Sequence, residues 1–376
     1  GPHRSLQANS ALATTIGDTL QLAAWHDAGY KGAGQRIGIL DVFGQTELQE
    51  AIAAGRVPSP AGTFCLNQGQ PCPIAQPGPG AHGVGVAEII HHTAPDAQLY
   101  LATVNTTSDL AAAVKWFDGN GVTVINRSET SEFDGPGDGT GPVGSIVDQA
   151  VGGDMVWVAA AGNAGGNAAQ NRRGQNWIGT FNDTDGNGYH EWLNGTELME
   201  FECGFLLGMR WDDWNAGIPT DYDLYIFESR SAEIPELVST AYQQTPDDRP
   251  LDHIDGNSCD FDGDLDYLAI RRFADVQPDG NDQIQILGNF TPMEEWTNRS
   301  AATGPGAESA NPGAITVGAT ARPASLGIAS YSSHGPTLDG RPNPDLLGQS
   351  CLPVTNFGGC FTGTSASAPV VAGVLA

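Results

Sequence analysis

The chain has 376 residues, enough for one large domain or two to three ordinary ones, and 40% of them are hydrophobic, enough for a sizeable core. With 44 acidic and 16 basic residues, its formal net charge is −28, which argues against nucleic acid or an anionic membrane as a partner. No run of about 18 apolar residues occurs, so the sequence predicts no membrane span.

The first part of the chain alternates between short apolar runs and longer helical segments, after residues 1–19, which we interpret as an extension with a cleaved-tag remnant. The predicted strands are RIGIL at 36–40, APDAQLYLATV at 94–104, VTVIN at 122–126 and MVWVAAAGN at 155–163. The predicted helices are GVGVAEIIHH at 83–92, SDLAAAVKWFDGNG at 108–121 with Ser108 as its N-cap, and SIVDQAVGG at 145–153. This alternation predicts an α/β domain with a mainly parallel sheet and helices on both faces.

From about residue 166 to residue 300 the pattern changes to short alternating runs separated by polar turns. The predicted strands there are LLGMRWDDW, DYDLYIFES, ELVSTAYQQ, DYLAIRRF and DQIQILGNF. This stretch holds more than half of the acidic residues of the chain. It predicts an inserted, acidic all-β domain of the β-sandwich or jelly-roll kind, between two parts of the α/β domain at 20–165 and 301–376.

The six cysteines fall into three near pairs, Cys65 with Cys72, Cys203 with Cys259, and Cys351 with Cys360. An even number with local pairing and no CxxC motif favours disulfides and an oxidising compartment. Six free, buried thiols are the alternative.

Four side chains stand at the edges of predicted elements. Ser365 in GTSASAP opens an apolar helix, where backbone N–H groups and the helix dipole favour negative charge. The alternative is that this serine only caps a buried helix. A serine nucleophile needs a base and an orienting carboxylate, and His82 at a helix start and Asp41 at a strand end are candidates. Asn163, at the end of another strand, has an amide that can donate to an oxyanion.

In this order, the Asp41, His82, Asn163 and Ser365 segments resemble the motif blocks of the subtilisin-like serine proteases, the subtilases. The resemblance covers about 20–165 and 305–376, and further segments add to it: WHDAGYKGAGQRIGILD, TAPDAQLY, NPGAITVGAT and YSSHGPTLDGRPNPDLL. The chain is similar to bacterial secreted members of the family that carry a β-rich insertion. The resemblance implies a three-layer subtilisin-like fold, a triad of Asp41, His82 and Ser365, and an oxyanion site at Asn163.

The resemblance also implies which residues contact the substrate. The implied set is Ser128, Glu129, Thr130, Ala160, Ala161 and Gly162. The family usually has Ser-Leu-Gly where this chain has Ser128-Glu129-Thr130. A carboxylate at Glu129 is expected to favour a basic side chain two or four residues before the scissile bond.

These implications predict a secreted or periplasmic serine endopeptidase that acts on proteins or peptides and needs no cofactor for catalysis. A binding protein on an inactive protease fold is one alternative. A transpeptidase or macrocyclase that uses the same acyl-enzyme is another.

A calcium loop is the one metal site that the sequence suggests. Asp183, Asp185, Asn187 and Glu191 have the 1-3-5-9 spacing of a calcium loop, with Gly188 at its turn. The closing glutamate is replaced by Asn194, and a solvated β-turn is the alternative reading.

The last residues, PVVAGVLA, predict an apolar helix that must be buried on most sides. We expect that the C-terminal part of the fold is missing after a cut and that a C-terminal fragment of the same protein is a partner. A natively short fold covered by another partner is the alternative.

Overall fold

The computed structural model describes residues 22–78, 80–129, 135–202, 204, 206–214, 220–239, 249–255, 265–273, 282–289, 291–297, 310–320, 327–357 and 360–376. The strands, in chain order, are β1 (Arg36–Leu40), β2 (Phe43–Gly44), β3 (Gly62–Asn67), β4 (Gln70–Pro71), β5 (Ala75–Gln76), β6 (Gln98–Val104), β7 (Val124–Arg127), β8 (Val156–Ala160), β9 (Asn176–Thr180), β10 (Met199–Glu202), β11 (Leu206–Trp211), β12 (Tyr222–Phe227), β13 (Leu237–Val238), β14 (Leu251–Asp255), β15 (Leu265–Arg272), β16 (Gln283–Asn289), β17 (Ala314–Thr320) and β18 (Leu346–Gln349). The α-helices are α1 (Leu22–Asp27), α2 (Gln45–Ala53), α3 (Ala81–Thr93), α4 (Thr107–Gly119), α5 (Pro142–Gly152) and α6 (Thr364–Leu375).

An eight-stranded sheet forms the centre of the α/β part, in the order β18-β17-β8-β7-β1-β6-β3-β4. Its strand pairs are parallel except for the hairpin of β3 and β4. Strand β1 lies between β6 and β7, so the later strands of the chain are added to the sheet on both sides of β1. Ligands of open α/β sheets bind at such a point, outside the carboxyl ends of the strands.

Helices cover both faces of this sheet, which confirms the predicted α/β fold with a mainly parallel sheet. On one face, Ile37 and Ile39 share a buried cluster with residues of α3 and α6. On the other face, Leu40 and Ile125 pack with residues of α4 and α5. The β1 side chains alternate between the two clusters because successive side chains of a strand point to opposite faces.

The predicted start of α4 is wrong by two residues. Thr106, rather than Ser108, is the N-cap: it has an extended backbone and its hydroxyl oxygen accepts from the Asp109 N–H at 3.2 Å. Serine and threonine are both common N-cap residues, and serine is the more favoured, so only the backbone conformation reveals that Thr106 is the cap.

Two four-stranded antiparallel sheets form the inserted stretch, in the orders β10-β15-β12-β13 and β14-β11-β16-β9. Buried side chains from both sheets share one cluster that contains Trp177, Trp211, Tyr222 and Ile284. The antiparallel β-structure predicted for this stretch is therefore present, whereas its being a separate inserted domain stays a prediction. The boundaries at 166 and 300 and the jelly-roll topology stay predictions.

Candidate active site

Asp41 and His82 form a hydrogen-bonded pair at the carboxyl edge of the central sheet. His82 Nδ1 lies 2.7 Å from Asp41 Oδ1, and the same oxygen accepts from the Val42 N–H at 2.8 Å. The Asp41 carboxylate is fully buried, whereas the imidazole is 32% exposed. With Nδ1 as the donor to Asp41, Nε2 is the nitrogen that can accept a proton from another group.

The backbone explains why these two residues meet. Asp41 directly follows β1, and His82 is the second residue of α3. Gly83 permits the close approach, because a Cβ there would lie 2.6 Å from the Val42 carbonyl oxygen and 2.9 Å from Asp41 Cβ. The Thr103 hydroxyl also donates to the Asp41 carbonyl oxygen at 2.8 Å and fixes the end of β1 against β6.

Ser365 lies in the first turn of α6 and is bonded reciprocally to Ser128, the residue after β7. Its hydroxyl donates to the Ser128 carbonyl oxygen at 3.1 Å, and the Ser128 hydroxyl donates to the Ser365 carbonyl oxygen at 3.1 Å. Pro369 lies inside the helix and has no N–H to offer to the Ser365 carbonyl four residues earlier. The Ser128 hydroxyl takes the place of that missing donor and attaches the start of α6 to the sheet.

Asn163 lies beside the backbone of Ser365. Its Oδ1 accepts from the Thr364 N–H at 3.0 Å, which directs its amide nitrogen away from that bond. A Cβ on Gly363 would lie 3.4 Å from Asn163 Nδ2 and 3.7 Å from the Ser365 nitrogen, so both N–H donors border the same small space. Gly363 has φ +106°, a conformation that favours glycine, so this turn suits the residue that occupies it.

The structure therefore brings Asp41, His82, Asn163 and Ser365 to one edge of the sheet. Among the described residues, the Ser365 hydroxyl is bonded to Ser128 and not to His82. The arrangement supplies a serine hydroxyl at a helix N-terminus, an imidazole with a carboxylate partner, and an amide beside the serine backbone.

A comparison with protein families decides what this chain is related to. The sequence pattern of the subtilase family matches residues 61–185 and 276–376, which together are more than half of the chain. The chain belongs to the subtilase family. The matched ranges include the His82, Asn163 and Ser365 segments and leave out most of the inserted stretch.

The relatives of this subtilase are distant. Subtilisin DY of Bacillus licheniformis is 30% identical over 158 residues, which are 39% of this chain and 53% of that protein. The chain thus spans about half the length of this curated relative. Among solved structures, the prenylagaramide maturation protease PagA has a TM-score of 0.41 at 12% identity, over 96% of this chain and 78% of that chain. MycP1, a serine protease described as an essential component of the type VII (ESX-1) secretion system, has a TM-score of 0.39 at 15% identity, over 95% and 74%. Likenesses at this level support no statement about activity.

The residues expected to contact substrate in this subtilase have different surroundings. Ser128 is buried and bonded to Ser365, and Glu129 lies near Asp41 and His82. Thr130 lies outside the described residues. Ala160, Ala161 and Gly162 are buried at the end of β8, and the Gly162 N–H already donates to the Thr364 hydroxyl. Their substrate-binding role stays a prediction.

Electrostatics at the site are dominated by two acidic residues. Burial opposes the charge of the His82 imidazolium, but the charge and hydrogen bond of Asp41 and the charge of Glu129 raise the pKa of His82 to about 9. Burial and the negative charge of Asp41 raise the pKa of Glu129 to about 7, against the attraction of Arg127 and His82. The imidazole of this subtilase is therefore easily protonated, and its neutral form is favoured at alkaline pH.

The predicted calcium loop uses its carboxylates for its own backbone. Asp183 accepts from the N–H groups of Gly186, Asn187 and Gly188, and its Oδ2 lies 3.6 Å from Arg272 Nη2. Glu191 accepts from the N–H and the hydroxyl of Thr184. The Arg272 cation thus lies beside the Asp183 carboxylate, and the loop's own backbone donors occupy oxygens that a calcium ion would need. Calcium binding here stays a prediction.

Two of the three predicted disulfides are present. Cys65 is bonded to Cys72 with Cα atoms 5.0 Å apart, and Cys351 is bonded to Cys360 with Cα atoms 4.8 Å apart. The predicted pair of Cys203 and Cys259 lies outside the described residues.

Sequence reasoning missed two residues that hold the site together. Thr364 bonds Asn163 and also accepts from the Gly162 N–H through its hydroxyl at 3.1 Å. Phe361 packs edge-on against His82 with ring centroids 5.3 Å apart. Both lie within four residues before Ser365. The one available signal for Thr364 was its position as a polar residue between the Gly363 turn and Ser365.

Proposed function

We propose that this subtilase is a serine endopeptidase that hydrolyses peptide bonds through Asp41, His82 and Ser365. The observation that supports this most is the 2.7 Å bond of His82 Nδ1 to Asp41 at the same sheet edge as the Ser365 helix. That bond leaves Nε2 for the nucleophile, which is the division of roles that a Ser-His-Asp triad requires.

In the proposed reaction, the Ser365 hydroxyl exchanges the Ser128 carbonyl for His82 Nε2 when a substrate binds. Catalytic hydrogen bonds are often unformed before that point. The oxygen then attacks the scissile carbonyl carbon while its proton passes to Nε2. Asp41 stays ionised and stabilises the imidazolium. The Asn163 amide and the Ser365 N–H donate to the oxyanion.

The proton then returns from His82 to the leaving amine, and the C–N bond breaks to give an acyl-enzyme on Ser365. Water attacks the acyl carbon, with His82 again accepting a proton, and releases the acid and the free serine. No step needs a cofactor.

We further propose that the protein acts on peptide or protein substrates in an oxidising compartment, either secreted or in a periplasm. The disulfides at Cys65–Cys72 and Cys351–Cys360 support this location, because such bonds persist where thiols are not kept reduced. Among the described helices, none has the length and apolar character needed to cross a bilayer.

A fluorophosphonate probe tests the nucleophile directly. We expect the probe to label the native chain on the peptide that contains Ser365, and we expect Ser365→Ala to abolish labelling and peptide hydrolysis together. Ser367→Ala is a matched control on the same helix and should keep both activities. Ser367 lies about half a helical turn from Ser365 and is fully buried, so the probe should not reach it. Labelling that persists in Ser365→Ala would contradict the proposal.

The same samples separate the alternatives. A folded chain that neither reacts with the probe nor cleaves peptides would be a binding protein on a protease fold. Products whose masses show a new amide bond in place of hydrolysis would identify a transpeptidase or macrocyclase.

A further inference from the structure

Glu129 stands where the family usually has leucine, and the fold places its carboxylate beside the Asp41–His82 pair. A carboxylate oxygen of Asp41, a ring nitrogen of His82 and a carboxylate oxygen of Glu129 all lie within 4.8 Å of one another. Glu129 is only partly exposed, so solvent screens its charge less than that of a surface residue.

The sheet register accounts for this position. Leu40 of β1 is paired with Arg127 of β7, so the chain leaves both strands at the same level, with Asp41 after one and Ser128 and Glu129 after the other. The reciprocal bonds of Ser128 to Ser365 then fix the backbone immediately before Glu129. Its location is therefore set by the same contacts that hold the nucleophile.

We propose that Glu129 is a positioning residue that acts on His82 from a second side, so that the imidazolium is held by two carboxylates instead of one. This proposal rests on the proposed function for its catalytic meaning. The pairing itself can be tested whether or not the protein proves active.

The charged groups around Glu129 belong to three elements. Asp41 at the end of β1 repels it, Arg127 on β7 attracts it, and His82 on α3 attracts it when protonated. Glu129 in turn favours the protonated form of His82. Two consequences follow: the ionised Glu129 stabilises the imidazolium that forms during attack, and it also delays the deprotonation of resting His82 as pH rises.

The direct test is an NMR titration of His82 in a Ser365→Ala background, which prevents self-cleavage. An opposite charge within about 4–6 Å moves a pKa by about 1–3 pH units, so we expect Glu129→Gln to lower the pH of His82 titration by about 1 unit. Glu129→Asp keeps the charge and should restore most of the shift. Glu50→Gln removes the same charge from an exposed position on α2, where water screens it, and should leave the titration unchanged.

In the active chain, Glu129→Gln should move the acid limb of kcat/KM to lower pH by the same amount and should lower kcat at alkaline pH. An unchanged His82 titration in Glu129→Gln overturns the proposal. If that variant does not fold, Glu129→Leu, which also removes the charge and introduces the residue that the family usually has, replaces it with the same expected shift, and an unchanged His82 titration in Glu129→Leu overturns the proposal.

The readouts also separate this proposal from two other outcomes. If Glu129→Gln loses a preference for basic side chains while His82 titrates as before, Glu129 only selects substrates and the proposal is wrong. If the native chain fails to react with the fluorophosphonate probe but the titration shift is observed, the proposed function fails and the pairing stands.

Discussion

At the scale of single residues, each polar group of the site is held by a donor or acceptor from a distant part of the chain. Thr364 holds Asn163, Ser128 holds Ser365, and Asp41 holds His82. Preorganised groups of this kind need little rearrangement when charge develops on the substrate. The side chains can therefore be tested one at a time.

Asn163→Ala should lower kcat by a factor of about 10²–10³ and leave KM nearly unchanged, because an oxyanion donor acts mainly in the transition state. Steady-state kinetics on a small peptide ester measure this. Asn167→Ala, which removes a similar amide outside the Ser365 turn, is the control and should change kcat less than about twofold. A rise in KM with an unchanged kcat would show that Asn163 binds substrate instead.

The pH profile should follow the protonation of His82. Attack requires the neutral imidazole, and the two carboxylates raise the pKa of His82 to about 9. The value of kcat/KM should therefore rise with pH and reach half of its maximum in the alkaline range. A profile that is already flat above about pH 7, the ordinary range for histidine, would contradict this expectation.

The same shift has the opposite effect on stability. The folded-state pKa of His82 exceeds the unfolded value of 6.5, so the stabilisation is complete below about pH 6.5 and is lost as pH rises through about 9. Activity should thus increase over the range in which this contribution to the free energy of unfolding disappears.

At the scale of elements, α3 carries His82 and α6 carries Ser365, and the two helices are packed directly on each other. All residues of α3 from Gly83 to Ile90 are buried, and Gly373 of α6 meets Thr93 at the end of α3. A Cβ on Gly373 would overlap the Thr93 side chain. The contact leaves no room for even one methyl group.

Gly373→Ala should therefore lower the free energy of unfolding by about 1–3 kcal/mol through overpacking, measured by urea denaturation in the Ser365→Ala background. Gly119→Ala is the matched control, since Gly119 ends α4 and has open space where its Cβ would be. We expect that change to be neutral or to stabilise by less than about 1 kcal/mol. Equal effects of the two substitutions would show that the helices do not pack as described.

At the scale of the whole molecule, the inserted sheets are attached to the α/β part through buried polar contacts. Arg210 on β11 is 4% exposed, donates to the Gly135 carbonyl at 3.0 Å and to Gln285 at 2.7 Å, and fills the space next to Gly137. Gln175 donates to the Asn163 carbonyl at 3.3 Å. The inserted residues thus touch the segment that supplies the predicted oxyanion donor.

Arg210→Met should destabilise the protein by about 3 kcal/mol, because it leaves the Gly135 and Gln285 oxygens without this buried donor. Urea denaturation of the Ser365→Ala chain measures the loss, and limited proteolysis should show earlier cleavage near residue 135. Arg230→Met removes a more exposed arginine with a long 3.4 Å ion pair and should cost less than about 1 kcal/mol. Similar losses for both arginines would mean that Arg210 does not join the two parts.

Local patterns of the sequence determined the order and type of the strands and helices that carry the candidate site, although they placed the N-cap of α4 two residues late. The run RIGIL followed by Asp41, and Gly363 followed two residues later by Ser365, are signals of a strand end and a helix start that depend only on neighbouring residues. The parallel sheet followed from the alternation of strands and helices, and two of the three cysteine pairs followed from their short separation. These features need no knowledge of which elements become neighbours.

The tertiary structure alone decided which strand lies beside which, and this pairing is what created the electrostatics of the site. Residues 41 and 129 meet because β1 and β7 are hydrogen-bonded across more than 80 positions of sequence, which no local pattern reports. The pKa of His82, the reciprocal bonds of Ser128 and Ser365, and the use of Asp183 by its own loop all depend on burial and on distances of a few ångströms. Such quantities exist only once distant segments are packed together, because both desolvation and charge interaction are set by the surrounding atoms rather than by the chain order.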